Sequence, residues 1–291
     1  MPVGSAGNTQ CQCGSFPFPN PASSGLPRPA SYSDNGDGSV TDNVTKLIWE
    51  KNPNPTAAQC SGTDSTTGFV SCNQSEAGAY CRGKGEGWHV PTRKELFSLV
   101  DFTVSPTINK TYFPNTPMFA NYLSSTPYVG AADNVWFVDF YRGGTTYVPV
   151  TYSGFVRCVR NPSPKCYSAR YQSQAGGVVS DTATGLTWQK DVDDAGGKSW
   201  TDAKTYCANL SLSGGGWRLP AFGELLSIVD ETKFNPTIDP AAFPNTVAST
   251  FWTSSLHVDN SNYAWIIDFH YGFSDVNGYI PSTTYRVRCV R

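Results

Sequence analysis

Apolar and polar positions along this chain change period in a fixed order, and that order runs through twice. VTDNVTKLIWEK around Trp49 alternates β-branched and polar residues and then meets Asn-Pro punctuation, which predicts a strand or hairpin. SWTDAKTYCANL carries helical spacing, with Ser199 or Thr201 near its N-cap. PTRKELFSLVD and PAFGELLSIVD each open on Pro and space their apolar residues one turn apart, predicting a second helix. From about Leu123 in one stretch and Trp252 in the other, alternation returns and predicts strands. Each half is therefore expected to be α+β: two short helices beside a small antiparallel sheet.

The recurrence is close enough to be an internal repeat. GSVTDNVTKLIWEK returns as GVVSDTATGLTWQK, and GWHVPTRKELFSLVD from Gly87 returns as GWRLPAFGELLSIVD from Gly216. YFPNT, NVWFVDF and GFVRCVR return as AFPNT, YAWIIDF and YRVRCVR. Trp88 and Trp217, Glu95 and Glu224, and Asp139 and Asp268 stand at one constant separation. The reading is a Pro-rich N-terminal arm over 1–30, a first domain over 31–160, a linker over 161–165 and a second domain over 166–291. Residues identical in both copies, such as Trp49/Trp188, Pro91/Pro220, Asp101/Asp230 and Trp136/Trp265, are expected to hold the shared fold. Positions that differ are free of that duty. A fragment 166–291 holds a complete repeat and is expected to fold alone, while the short linker should keep the copies against each other.

Composition narrows the class. Charged residues are 15% of the chain, low for an ordinary domain, and the net charge is only −2. With no basic block, nucleic acid is not an expected partner. No apolar run approaches the ~20 residues of a membrane span. Low charge with 8 Trp, 15 Tyr and 27 Gly suits a loop-rich secreted or surface protein. No signal peptide begins at Met1, so that placement implies a trimmed or processed start, or another export route.

Nine cysteines fit the same picture. Cys81 and Cys207 share one repeat position late in the first helix, and Cys158 and Cys289 share the terminal strand. The simplest pairing is Cys81–Cys158 and Cys207–Cys289, each closing a long loop worth about 4–5 kcal/mol in the chain-entropy model. Cys60 and Cys72 flank an insertion present only in the first copy and are expected to staple it. Cys11, Cys13 and Cys166 remain; one pairing with Cys166 leaves an odd thiol.

Catalytic and metal motifs are missing. GxGxxG, P-loop, HExxH and GxSxG do not occur. CQC is not CxxC, and with only 3 His no zinc spacing forms. DNGDG at Asp34–Gly38 fails the calcium-loop spacing and reads as a glycine turn. Asp139 and Asp268 lie in separate copies and make no acid–base pair. No cofactor, metal or catalytic residue is assigned.

Taken in order, GLTWQK, WRLPAFGELLSIVD, FPNT, FWTSS, YAWIIDF and VRCVR resemble the Lcl C-terminal domain family, named after a bacterial collagen-like adhesin. The first copy departs in KLIWEK, WHVPTRKEL, YLSST and the Cys60–Cys72 insertion. The resemblance implies a C-type lectin-like fold, distantly akin to formylglycine-generating enzymes, and implies surface attachment, often to glycans or sulfated polysaccharides. It implies no agreed binding residues. The EPN, QPD and WND triplets of calcium-dependent lectins do not occur here.

The expected function is a non-catalytic extracellular or cell-surface binding or adhesion module for a glycan, polysaccharide or surface protein. The alternative is a self-assembling subunit of a surface fibre or pilus-associated structure, motivated by the Pro-rich arm and the odd cysteine. An oxidase of the formylglycine-generating type would need a reactive cysteine pair, whereas the shared cysteines look structural. The loops that differ most between copies are rich in Tyr, Ser, Thr, Asn and Gly, which suit adaptable contact surfaces. The candidate ligand contacts there are Tyr141, Arg142, Tyr147 and Tyr152 in the first copy. In the second they are His257, Asn260, Asn262, His270, Tyr271 and Tyr279.

Overall fold

A computed structural model describes residues 12–13, 16–117, 119–161, 166–167, 170–192 and 196–291. Residues 162–165 of the expected linker 161–165, Cys11, and the side chains of Cys13 and Cys166 lie outside the described residues.

The helices begin where local caps allow. In the first copy α1 spans Gln74–Arg82 and α2 spans Arg93–Phe97. In the second, α3 spans Trp200–Ala208 and α4 spans Phe222–Ser227. Asn73 and Ser199 accept the amides three residues on, so Ser199 is the cap of α3. Thr92 caps α2, and Glu95 returns to the Thr92 amide at 2.7 Å, completing a capping box. Glu224 reaches the Ala221 amide at 2.8 Å, but Ala221 has no hydroxyl to answer.

Both copies build the same two layers. In the first, Tyr32–Asp34, Ser39–Asp42, Ile48–Glu50, Val159–Arg160 and Trp88–His89 form one antiparallel sheet in that order. Asn121–Pro127, Asn134–Asp139 and Thr145–Pro149 form a separate meander. In the second copy, Tyr171–Gln174, Val178–Asp181 and Leu186–Gln189 pair consecutively. Val290 there bridges Trp188 and Arg218, as Val159 faces Trp49 and His89 in the first. Thr250–His257, Asn260–Asp268 and Ser274–Tyr279 repeat the meander.

The repeated residues hold these layers together. Cys81–Cys158 and Cys207–Cys289 tie α1 and α3 to the closing strands, and Cys60–Cys72 staples the insertion hairpin, as the repeat predicts. Trp49, Trp188, Trp136 and Trp265 are buried. The arginine that opens each RCVR is buried as well. Arg157 donates to the Glu50 and Lys51 carbonyls at 2.6 and 2.7 Å and to the Thr116 hydroxyl at 2.9 Å. Arg288 donates to Gln189, Lys190 and Thr246 in the same pattern, each at 2.6 Å. The closing motif is therefore a clamp that fixes the turn after the first Trp strand onto the FPNT loop.

The largest apolar cluster spans both copies, while a smaller one lies under the helix-to-last-strand disulfide of each copy. The largest holds Phe97 and Phe102 of the first, Phe222 and Trp265 of the second, and Phe16 and Phe18 of the arm. The Phe102 ring lies 4.7 Å from Phe222 and 4.5 Å from Trp265. A Cβ on Gly223 would stand 3.0 Å from Phe18, so this glycine admits the arm. Arg28 donates to the Thr184 carbonyl, tying the same arm to the second copy. No described helix is long and apolar enough to cross a membrane.

Candidate functional site

Two repeated turns set the geometry. Asp139 accepts the Tyr141 amide at 2.7 Å, and Asp268 accepts the His270 amide at 2.8 Å. Each turn then closes on a left-handed glycine, Gly143 or Gly272, whose amide returns to the same aspartate's carbonyl. Asp139 and Asp268 are thus turn formers. Of the three residues between Asp and Gly, Phe140 or Phe269 turns into the core, leaving Tyr141 and Arg142, or His270 and Tyr271, half-buried to exposed.

The first turn of α2 locks the second-copy turn in place. Arg93 is fully buried and donates to the Gly272 carbonyl at 2.5 Å. Its Nε lies 3.3 Å from Glu231, and its guanidinium stands 4.1 Å over the Trp136 ring. Lys94 donates to the Val229 and Ser227 carbonyls at 2.6 and 3.3 Å, answering acceptors at the end of α4. Burial pulls Lys94 down to about 8 against the opposing pull of Glu231.

Around this lock, rings from both copies form a continuous strip. Tyr128 stacks on Tyr147 with centroids 4.0 Å apart and planes at 6°. Tyr147 meets Phe273 at 5.8 Å, and Phe273 meets Tyr271 at 5.9 Å. Tyr271 stacks on His270 at 4.0 Å and meets Phe234 at 5.5 Å. Tyr147 and Tyr271 each keep 38% of their surface exposed, Phe234 46% and nearby Val129 48%. The strip is thus fixed from below and open above. Burial raises the Tyr128 hydroxyl pKa, with Tyr147, Tyr271 and Asp268 adding to it, so that hydroxyl stays protonated at neutral pH.

Of the residues expected as contacts, the fold brings Tyr147, His270 and Tyr271 onto this seam. Tyr141 instead packs on Phe119 at 4.2 Å, with the Arg142 guanidinium 5.6 Å over the Tyr141 ring. The Tyr152 hydroxyl accepts from the Asn121 amide at 3.2 Å. His257 lies against Trp265 at 6.3 Å and accepts the Asp259 amide. Asn260 accepts the Asn262 amide at 3.0 Å, shaping the hairpin. Tyr279 rests on Tyr263 at 5.3 Å. Sequence reasoning missed Phe234, Phe273 and Val129 as seam members. A signal for Phe234 existed: DETKFNPT is one residue longer than DFTVSPT, and the extra length carries the exposed ring.

The profile of the Lcl C-terminal domain matches residues 38–160 and again residues 177–291. A comparison with curated proteins finds no match.

Proposed function

The chain belongs to the Lcl C-terminal domain family, carrying that domain twice, and from this premise we propose that it is a non-catalytic extracellular or cell-surface binding protein. Its ligand is a glycan or polysaccharide, and its contact surface is the aromatic seam between the copies. The observation that carries this reading is the exposed strip of Tyr147, Tyr271 and Phe234, held from beneath by Tyr128, Phe273 and the Arg93 lock. A rigid aromatic strip stacks on sugar rings with little ordering cost, and the tyrosine hydroxyls can hydrogen-bond the ligand. Each copy is read as a C-type lectin-like fold. The closing strand Val159–Arg160 paired between Ile48–Glu50 and Trp88–His89, two helices, and a helix-to-last-strand disulfide support that reading.

The fibre-subunit alternative drew on the Pro-rich arm. Over its described residues from Phe16 onward, that arm is folded on its own chain, so the arm offers no free segment there.

A glycan and polysaccharide array on the intact chain tests the proposal, followed by Tyr147→Ala with Tyr271→Ala. Each truncation is expected to weaken binding by about 1 kcal/mol or more, as interface aromatics do. A confirmed glycan that binds the double variant as tightly as the parent would place its site elsewhere.

A further inference from the structure

The insertion that only the first copy carries builds a second concavity. Its volume is about 820 Å³, within the ordinary span of ligand sites. One wall is Phe69 on the Cys60–Cys72 hairpin, the floor is Tyr122 and Phe155, and Asn52, Asn54 and Asn115 stand on the other sides. None of its lining residues is charged.

The hairpin wall is firmly anchored. Beyond the disulfide, Cys72 and Gly154 exchange backbone hydrogen bonds at 2.9 Å, and the Ser61 hydroxyl donates to Glu76 at 2.6 Å. A Cβ on Gly62 would lie 2.6 Å from Ser153, so the hairpin sits directly on the body of the domain. Yet Phe69, at its tip, is 58% exposed.

The second copy differs at the same place. Asp191 and Asn245 occupy the positions of Asn52 and Asn115, and the Asn245 amide donates to Asp191 at 2.7 Å. In the first copy the Asn52, Asn54 and Asn115 side chains form no hydrogen bond among the described residues, and all three are exposed. Each amide offers both a donor and an acceptor.

We propose that this groove is a binding site for a neutral oligosaccharide, distinct from the seam. The proposal rests on the saccharide-binding reading for its ligand class and on the first copy alone for its location. A sugar ring has an apolar C–H face that suits Phe69 and vicinal hydroxyls that suit amide groups. The uncharged lining gives no counter-charge for sulfate, phosphate or uronate.

Calorimetric titration of the full chain with malto-, cello-, xylo- and chito-oligosaccharides tests the site, with a sulfated oligosaccharide and a proline-rich peptide alongside. At least one neutral oligosaccharide is expected to bind. Phe69→Ser should weaken it at least tenfold, and N52D, which supplies the carboxylate that Asn245 bonds in the second copy, should weaken it similarly by engaging Asn115. Disulfide mapping and unchanged unfolding midpoints confirm that both variants fold. Neutral binding that survives both substitutions overturns the groove, as does preference for the sulfated probe or for the peptide. The seam pair of tyrosine substitutions, titrated in parallel, separates the two sites. Loss on the seam pair alone leaves the seam standing and removes the groove, and loss on Phe69→Ser alone does the reverse.

Discussion

Glu50 and Gln189 occupy one repeat position and show how a buried charge is handled. Gln189 accepts the Cys289 amide at 3.1 Å and donates to the Tyr206 hydroxyl at 2.8 Å. Glu50 accepts the Cys158 amide at 3.1 Å and the Tyr80 hydroxyl at 2.5 Å, but brings a charge. Lys84 answers it at 2.6 Å, whereas the corresponding second-copy residue is Leu210. Lys84→Leu should therefore leave a buried carboxylate unpaired and cost about 1–3 kcal/mol, reduced from the fully buried case because Lys84 is partly exposed. Glu50→Gln with Lys84→Leu should recover most of that loss, as urea midpoints of the four-member cycle would show. Equal losses in the single and double variants would refute the charge argument. A neighbouring pair predicts a pH effect. His89 lies 3.4 Å from Glu95, where Arg218 holds Glu224 in two bonds of 2.6 Å. The hydrogen bond to Glu95 raises the His89 pKa above its ordinary 6.5, against the opposing effect of burial. A raised folded pKa means that the stabilisation is complete below 6.5 and fades as pH rises through the folded value. His89→Arg keeps its charge, so its stability advantage over the parent should widen between about pH 5.5 and about pH 8.5, by less than ~1 kcal/mol because the His89 side of the pair is exposed. A constant gap across that range would show that His89 does not titrate against Glu95.

At the scale of elements, α2 and α4 are repeat partners that do different work. Both depend on a glutamate that reaches back to the N-cap amide, but only Thr92 supplies the answering hydroxyl. Thr92→Ala should cost about 1 kcal/mol, the ordinary value of such a cap, read as a shift in unfolding midpoint. No shift would mean that Glu95 alone sets the start of α2. These glutamates as scaffold, the buried tryptophans and the two helix-to-last-strand disulfides were legible in the sequence, because repetition marks what both copies need; the Cys60–Cys72 staple was legible as flanking a first-copy insertion. The join between the helices was not. Arg93 and Lys94 stand where the second copy has Phe222 and Gly223, so no shared motif records the contact. Arg93 pairs with Gly272, and Phe97 packs on Phe222, through tertiary packing of one copy on the other. A repeat offset says nothing about that packing. The loop composition did point to Tyr147, His270 and Tyr271. Their convergence on one strip came from the docking of the two copies, which neither periodicity nor turn chemistry encodes.

At the scale of the whole molecule, the largest apolar cluster joins the two copies. Phe102 belongs to the first copy, yet its ring packs between Phe222 and Trp265 of the second. Phe18 of the arm fills the space over Gly223 on the same helix. Separated at the linker, the second copy would expose Phe222 and Trp265 to water, and the first would expose Phe97 and Phe102. Lys94 and Arg93 would also lose the acceptors that justify their burial. The two copies should therefore unfold together, despite being separate repeats with separate staples. Phe102→Ala provides the sharpest check. Removing the ring is expected to cost about 3 kcal/mol or more, the scale of large-to-small core substitutions. If the core is shared, hydrogen exchange should lose protection by a similar factor in α1 of the first copy and α3 of the second, since both would exchange through one global opening. Loss confined to the first copy, with α3 keeping its parental protection, would show instead that the staples make each repeat an independent folding unit and that the seam is only a contact between them.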